Sequence, residues 1–177
     1  MVDCMTKEKL TLSFLKKNWV QNLIWAIGFL IIFLTLRPFM QGDVVEGIAP
    51  NFIEQSMTGQ TINLADYQGK PVLIHFWATW CPICEVELSG IESVAQDYQV
   101  IKIASTSGTN EDIIEYAKNN NMALDNIIND KDGTLMKRYG AKALPASFVL
   151  DSAGEIKFIE VGFTTSYGLK ARLWSLE

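Results

Sequence analysis

Residues 72–84 read VLIHFWATWCPIC, and this stretch decides the fold. Its first seven residues form an apolar run that His75 alone interrupts, which predicts a central strand covered on both faces. Pro82 suits the first turn of a helix, and apolar residues recur at helical spacing from Glu85 to Asp97. The stretch therefore predicts a buried strand that leads directly into an amphipathic helix opening near Cys81.

The rest of the chain alternates short β-rich runs with helical patterns. The turn at residues 152–154 is too short for a parallel crossover, so the runs at 146–151 and 155–161 must pair as antiparallel strands. This pattern predicts an α/β fold with a mixed central sheet flanked by helices. The other predicted elements are a hairpin over 51–55 and 60–63, a strand over 100–104, helices capped by Asn110 and Asp132, and a last helix ending at Trp174.

An uncharged segment precedes this domain. The nineteen residues from Asn18 to Leu36 are mostly apolar, and a helix of that length spans the hydrocarbon core of a bilayer. Four lysines lie before the segment and only Arg37 follows it closely, so the positive-inside rule places the N-terminus in the cytoplasm. The sequence predicts a cytoplasmic tail over 1–17, a transmembrane signal anchor in the lipid bilayer over 18–37, a linker over 38–49 and one exported domain over 50–177.

Charge and cysteine content exclude several functions. Residues 43–177 contain 10 Lys+Arg and 18 Asp+Glu, a net charge of −8, and the chain has no basic run to attract a phosphate backbone. We therefore expect no nucleic-acid partner. Three cysteines are too few to staple a domain of this size, and Cys4, on the cytoplasmic side, is expected to be a reduced incidental thiol.

The remaining two cysteines, Cys81 and Cys84, carry the candidate chemistry. A thiolate at a helix N-terminus is stabilised by unpaired backbone N–H groups and by the helix dipole. Cys84 lies three residues on, on the same helical face, and can resolve a mixed disulfide formed at Cys81. Zinc would need two further ligands, and the exported domain offers His75 as its one histidine, so we predict no metal site of that type. Redox chemistry, Cu(I) binding by the two thiolates and a structural bridge remain as readings of the pair.

The residues that surround the two cysteines resemble a known family. The block 72–84, with Gly69-Lys70-Pro71 ahead of it, resembles the active-site strand and turn of the thioredoxin superfamily, in its membrane-anchored TlpA and DsbE-like branch. The later half of that fold is matched by residues 130–133, 139–140, 144–151 and 154. The ending, 162–165 and 168–174, is similar to suppressor-for-copper-sensitivity D (ScsD-like) protein disulfide oxidoreductases.

The resemblance implies an activity and a location. It implies a protein disulfide oxidoreductase, tethered to the bacterial inner membrane with its domain in the periplasm, that needs no organic cofactor. Electrons would come from a DsbD-like transmembrane donor and pass to disulfides of extracytoplasmic proteins, in copper tolerance or cytochrome c maturation. A peroxidase of the same superfamily would need a reactive-cysteine motif with a preceding threonine, whose usual spacing residues 78–80 do not supply.

The resemblance also assigns candidate site residues. Pro145 would be a cis-proline facing the dithiol, and Leu144 would offer backbone hydrogen bonds to a substrate strand, while Trp80 would shield one side of the dithiol. His75 stands where thioredoxin has a buried acid, so it is either a proton relay or a satisfied core residue. Glu87 matches a family acid and is a second candidate relay, although a carboxylate there can simply complement the helix dipole.

Overall fold

A computed structural model describes residues 19–33, 35 and 44–177, and the chain divides into two compact units at residues 41 and 42. In the first unit, residues 19–33 are helical (α1). Among the described residues, no helix is both long enough and apolar enough to cross a membrane. The predicted tail, Cys4 and residues 18, 34, 36 and 37 of the predicted anchor lie outside the described residues, so the anchor stays a prediction.

The second unit contains eight strands: β1 Gly47–Ile48, β2 Ile53–Gln55, β3 Thr61–Asn63, β4 Val72–Trp77, β5 Gln99–Ser105, β6 Ile127–Asp130, β7 Ala146–Leu150 and β8 Glu155–Val161. Six of them form one sheet with the strand order β1-β8-β7-β4-β5-β6. A separate hairpin pairs β2 with β3 in antiparallel fashion, as predicted. The helices are α2 Pro82–Asp97, α3 Asn110–Asn119, α4 Thr134–Arg138 and α5 Ser166–Trp174, with a 3₁₀ turn at Leu64–Tyr67.

The central strand is β4, and all six of its residues are buried. It runs parallel to β5 and antiparallel to β7, which confirms the predicted mixed sheet. Its side chains alternate between two layers of core. Phe76 packs with Tyr139 and Phe148 on one face, whereas Leu73 and Trp77 pack against helical residues on the other. A strand buried on both faces holds the residue that follows it in a fixed place.

Helices α2, α3 and α5 contribute to the core on the Trp77 face. Leu88 of α2 and Ile113 of α3 pack in one cluster with Trp77, and Leu169 of α5 packs in a second cluster with Leu73. Apolar residues at helical spacing on α2, such as Leu88 and Ile91, therefore seal this face of the sheet, as the sequence pattern predicted.

The structure differs from the sequence prediction at two helix starts. Helix α3 is capped by Thr109, not Asn110, through a capping box with Asp112. Helix α4 begins after Gly133, and in its first turn the Leu135 and Met136 N–H groups donate to the Asp130 carboxylate, not to Asp132. In both cases a nearby side chain whose oxygen reaches the N–H groups does the capping.

Two strands had no sequence prediction. Strand β6 has four residues, and β1 has two, which pair with β8 at Ile156 and Glu155. The Val45 N–H also donates to the Tyr139 carbonyl, 3.2 Å away. The sheet thus includes residues that the sequence analysis assigned to the linker.

Candidate active site

The dithiol lies where the central strand passes into helix α2. Cys81 is the N-cap residue of α2 and Pro82 is its first helical residue. Cys81 and Cys84 form a disulfide whose Cα atoms are 5.3 Å apart. The Cys84 N–H donates to the Cys81 sulfur over 3.2 Å. In the reduced protein, the same N–H and the positive end of the helix dipole favour the thiolate form of Cys81.

The two sulfur-bearing residues differ in access. Cys81 is 6% exposed, whereas Cys84 is fully buried and packs with Trp77 and Leu88. A partner disulfide can therefore approach Cys81 first, and Cys84 can act only on a bond already formed at Cys81. This arrangement suits two-step thiol–disulfide exchange, and the alternative of Cu(I) binding would use these same two sulfur atoms.

Trp80 is 62% exposed, yet its indole is held in place. The indole Nε1–H donates to the Thr106 carbonyl at 3.0 Å, and the Thr79 N–H donates to the Ser107 hydroxyl at 3.1 Å. Thr106 adopts a left-handed backbone with φ 49°, which is rare for a β-branched residue. The loop after β5 thus fixes the two residues before Cys81. Sequence reasoning missed this loop, whose signal is the polar run 105–109 directly after a strand.

The loop that carries Leu144 and Pro145 reaches the same region. The Leu144–Pro145 peptide bond is cis, as the resemblance implied. Leu144 is partly buried against the cluster that contains Cys81 and Cys84. The Pro145 carbonyl accepts a hydrogen bond from the Gly162 N–H at 2.8 Å, which joins this loop to the end of β8.

His75 is fully buried in β4, between Ser147 of β7 and Lys102 of β5. Its Nδ1 lies 2.9 Å from the Ser147 hydroxyl, and its Nε2 has no partner among the described residues. Burial, assisted by the positive charge of Lys102, lowers the pKa of His75 to about 3, so the ring is neutral. Its one hydrogen bond within the described residues is to Ser147 and not to a cysteine.

Lys102 is itself fully buried and needs a counter-charge. Its ammonium donates to the Glu92 carboxylate of α2 and, at 2.9 Å, to the Ala123 carbonyl. Burial lowers the pKa of Lys102, while Glu92 opposes that effect. A row of polar side chains, Ser147, His75 and Lys102, thus crosses three strands beneath α2. The sequence analysis singled out His75 but missed its two neighbours, because isolated polar residues in apolar strands do not reveal their register.

Glu87 is 3% exposed on the buried side of α2, three residues after Cys84. Its Oε1 accepts the Thr164 N–H at 3.0 Å, and its Oε2 is buried without a partner among the described residues. Burial raises the pKa of Glu87 to about 7, and the Thr164 hydrogen bond opposes that rise. Near neutral pH this carboxyl can hold a proton one helical turn from Cys84.

Known proteins resemble this chain over most of its length. Residues 45–159 match the model of the AhpC/TSA family. A "Thioredoxin-like protein" of Haemophilus influenzae is 32% identical over 92% of this chain and 97% of its own. The "Thiol-disulfide oxidoreductase ResA" of Bacillus thuringiensis is 33% identical, over 61% of this chain and 64% of its own length.

Solved structures share the same architecture. StoA of Bacillus subtilis is 28% identical with a TM-score of 0.60, covering 70% of this chain and 96% of that one. A putative DsbE of Chlorobium tepidum has a TM-score of 0.67 at 24% identity, covering 76% of this chain and 99% of that one, and shows a common fold. Together with the dithiol at the start of α2, these matches show that the chain belongs to the AhpC/TSA family, among thioredoxin-like thiol-disulfide oxidoreductases of the ResA type.

Proposed function

We propose that this protein is a membrane-tethered, periplasm-facing protein disulfide oxidoreductase of the bacterial inner membrane. Residues 18–37 would anchor the chain in the bilayer, and the domain that follows would exchange disulfides with extracytoplasmic proteins. The observation that carries the proposed exchange is the unequal exposure of the two cysteines, since Cys81 is 6% exposed and Cys84 is fully buried.

The exchange would proceed in two successive thiol–disulfide exchange steps. The Cys81 thiolate attacks one sulfur of a partner disulfide, so that a mixed disulfide forms and one partner thiolate leaves. The Cys84 thiolate then attacks the Cys81 sulfur, which releases the second partner thiolate and closes the Cys81–Cys84 disulfide. Two electrons pass from the enzyme to the partner, and protons from the surroundings complete the two partner thiols.

Before Cys84 can attack Cys81, its thiol must lose a proton. We assign the role of accepting that proton to Glu87 in preference to His75. Glu87 follows Cys84 by one helical turn, and with its pKa raised by burial to about 7 it exists as both carboxylate and carboxylic acid near neutral pH, so it can accept the Cys84 proton and later release it. The lowered pKa of His75 and its hydrogen bond to Ser147 favour a core role for the imidazole. Leu144 and Pro145 would receive the substrate strand, and Trp80 would cover one side of the dithiol.

The reducing direction is the second part of the proposal. A DsbD-like transmembrane protein would return the Cys81–Cys84 pair to the dithiol form, and the substrates would be proteins that serve copper tolerance or cytochrome c maturation. Tethering would limit these substrates to proteins near the membrane.

Trapping tests the order of the two steps. In a Cys4→Ser background, Cys84→Ser removes the thiol that resolves the mixed disulfide at Cys81. Mixed disulfides with partner proteins are therefore expected to accumulate, and a reductant should cleave them. Cys81→Ser in the same background is expected to trap none. Equal trapping by the two variants would contradict the assigned order.

The redox state inside cells tests the direction. Acid quenching followed by alkylation with a mass tag, again with Cys4→Ser, reports the exported pair alone. We expect a mostly reduced pair even in an oxidising compartment, because the proposed donor would supply electrons to it. A mostly oxidised pair in cells with an intact electron donor would rule out the reducing role.

A further inference from the structure

The turn that joins β4 to α2 is held by hydrogen bonds from outside it. The Cys81 N–H donates to the Ala78 carbonyl at 3.2 Å, which closes a turn that we call the dithiol turn. Inside this turn, the Thr79 N–H donates to the Ser107 hydroxyl, and the Trp80 indole N–H donates to a carbonyl of the loop after β5. The place of Cys81 at the start of α2 therefore depends on where that loop lies.

The loop is held in turn by Asp130, the last residue of β6. The Thr106 N–H donates to the Asp130 carbonyl at 3.0 Å, and the Ser105 hydroxyl donates to the Asp130 carboxylate at 3.0 Å. The Ser107 hydroxyl donates to the Ser105 carbonyl at 3.1 Å. Thr106 has the left-handed φ of 49°, a strained conformation for a β-branched residue that persists only where its surroundings hold it. Asp130 supplies that hold through its main chain and its side chain.

Asp130 is itself buried and fixed by the start of α4. It is 5% exposed, and its carboxylate also accepts the Leu135 and Met136 N–H groups at 3.0 Å each. Its carbonyl accepts the Gly133 N–H at 3.0 Å. The start of α4 lies close to the loop, because an added Cβ on Gly133 would be 3.4 Å from Cγ2 of Thr106. Asp130 thus joins α4 to the loop that holds the dithiol turn.

We propose that Asp130 is a positioning residue for thiol–disulfide exchange, which holds Cys81 at the N-terminus of α2 through Ser105 and the loop after β5. The inference rests on the proposed function, in which Cys81 is the attacking thiol. The Cys84 N–H and the helix dipole stabilise a thiolate only within the first turn of the helix. A dithiol turn released from the loop would let Cys81 move away from these groups, so that a smaller fraction of its thiol would be ionised at neutral pH.

Two substitutions test this connection at different points. Ser105→Ala removes the hydroxyl that joins the loop to the Asp130 carboxylate, while the two N–H groups of α4 keep their acceptors. Asp130→Asn replaces one carboxylate oxygen by an NH₂ group, which cannot accept a hydrogen bond. Ser56→Ala is the matched control, since Ser56 is also 5% exposed and its hydroxyl bonds to Thr58 and Gln60 in the turn between β2 and β3.

The measurement is the rate at which iodoacetamide alkylates Cys81, followed against pH. The full chain with Cys4→Ser is incorporated in lipid nanodiscs and reduced, and peptide mass spectrometry assigns the label to Cys81 or Cys84. Only the thiolate reacts, so the rate rises with pH to a plateau, and its midpoint gives the pKa of the Cys81 thiol.

The expected result is a shift of this midpoint to higher pH. At one pH unit below the wild-type midpoint, Ser105→Ala and Asp130→Asn should each react about three- to tenfold more slowly, the factor that a helix N-terminus contributes to a nearby negative charge. The plateau rate should not fall, because the thiolate, once formed, can still react. Ser56→Ala also loses a buried hydroxyl and should keep the wild-type midpoint, so the midpoint separates positioning from stability.

The outcomes are distinct. A wild-type midpoint in Ser105→Ala would overturn the role of Asp130, as would an equal shift in Ser56→Ala. Faster alkylation of Asp130→Asn below the midpoint would also overturn it, because Asp130 would then act on Cys81 through its negative charge and not through position. If Asp130→Asn does not fold, Ser105→Ala decides alone. Alkylation of Cys84 in place of Cys81 in the wild type would contradict the proposed function instead, whatever the variants do.

Discussion

Two buried ionisable side chains close to the dithiol respond to pH in opposite directions. Burial raises the pKa of Glu87 to about 7 and lowers the pKa of His75 to about 3, because in each case burial disfavours the charged form. Each shift couples protonation to folding. The two side chains can therefore be separated by the pH range in which each one changes the free energy of unfolding.

For Glu87, the folded protein holds a proton that the unfolded chain releases between pH 4.5 and about 7. The wild type should therefore lose stability as pH rises through that range, whereas Glu87→Gln should not. We expect the variant to gain on the wild type by up to about 3 kcal/mol by pH 8. Urea unfolding at pH 5 and pH 8 measures this, with the exposed Glu85→Gln as control. A constant difference between variant and wild type would show that Glu87 does not retain a proton.

For His75, the unfolded chain takes up a proton below its ordinary pKa of 6.5 while the folded protein stays neutral to about pH 3. Stability is thus lost as pH falls, and by pH 4 the loss relative to pH 7 should be about 3 kcal/mol larger in wild type than in His75→Asn. Denaturant unfolding at the two pH values measures it. The same variant tests the relay reading, since an unchanged pH profile of thiol exchange would leave His75 with a core role alone.

At the scale of single elements, helix α2 and the loop after β5 carry the site. The sequence predicted α2 well, because a proline at its start and apolar residues at helical spacing are strong local signals. It did not predict that Thr106 and Ser107 hold Trp80 and Thr79. That contact joins residues more than twenty positions apart through a backbone carbonyl and a hydroxyl, and no local pattern encodes such a pairing.

Gly90 offers a stabilising substitution within α2. Its added Cβ would make ordinary contact with Ser166, so Gly90→Ala should raise the free energy of unfolding by roughly 0.5–1 kcal/mol through helix propensity. Gly59→Ala is the contrasting variant. Gly59 has φ +82°, so an alanine there should destabilise the protein by about 1 kcal/mol, although the space around the residue is open. Thermal unfolding of the two variants checks the signs, and a loss of stability in Gly90→Ala would mean that α5 packs more tightly than the contact distance indicates.

Ser107 is the residue that ties the loop to the turn before Cys81. Ser107→Ala removes the acceptor of the Thr79 N–H and the donor to the Ser105 carbonyl, in a side chain that is buried. We expect a loss of about 1–3 kcal/mol in the free energy of unfolding. Ser152→Ala, at an exposed turn, should change it little. Equally small effects of the two substitutions would show that the hydrogen bonds of the Ser107 hydroxyl add nothing to the free energy of unfolding.

At the scale of the whole molecule, the sequence was sufficient for the fold class and for the place of the dithiol. A continuous apolar strand followed by a helix start identifies the centre of the sheet, and a short turn at 152–154 requires an antiparallel neighbour. The short strand β1 could not be predicted, since two residues are too few to show the alternation of apolar and polar side chains that identifies a strand. The partners of His75 were equally hidden, because they depend on the register of β4 with β5 and β7.

The buried Lys102 has a consequence for how the domain opens. Its ammonium donates to Glu92 of α2, so a form with the sheet intact and α2 detached would lose that ion pair and uncover the apolar face of the sheet that α2 covers. Such a form should be too rare to populate. Amide hydrogens of β5 and α2 should therefore exchange with deuterium through one common opening, with equal free energies, and Lys102→Met should let α2 exchange at a lower free energy than β5. Slow exchange in β5 beside fast exchange in α2 of the wild type would contradict this. A single charge placed under a helix would make the helix and the sheet one cooperative unit.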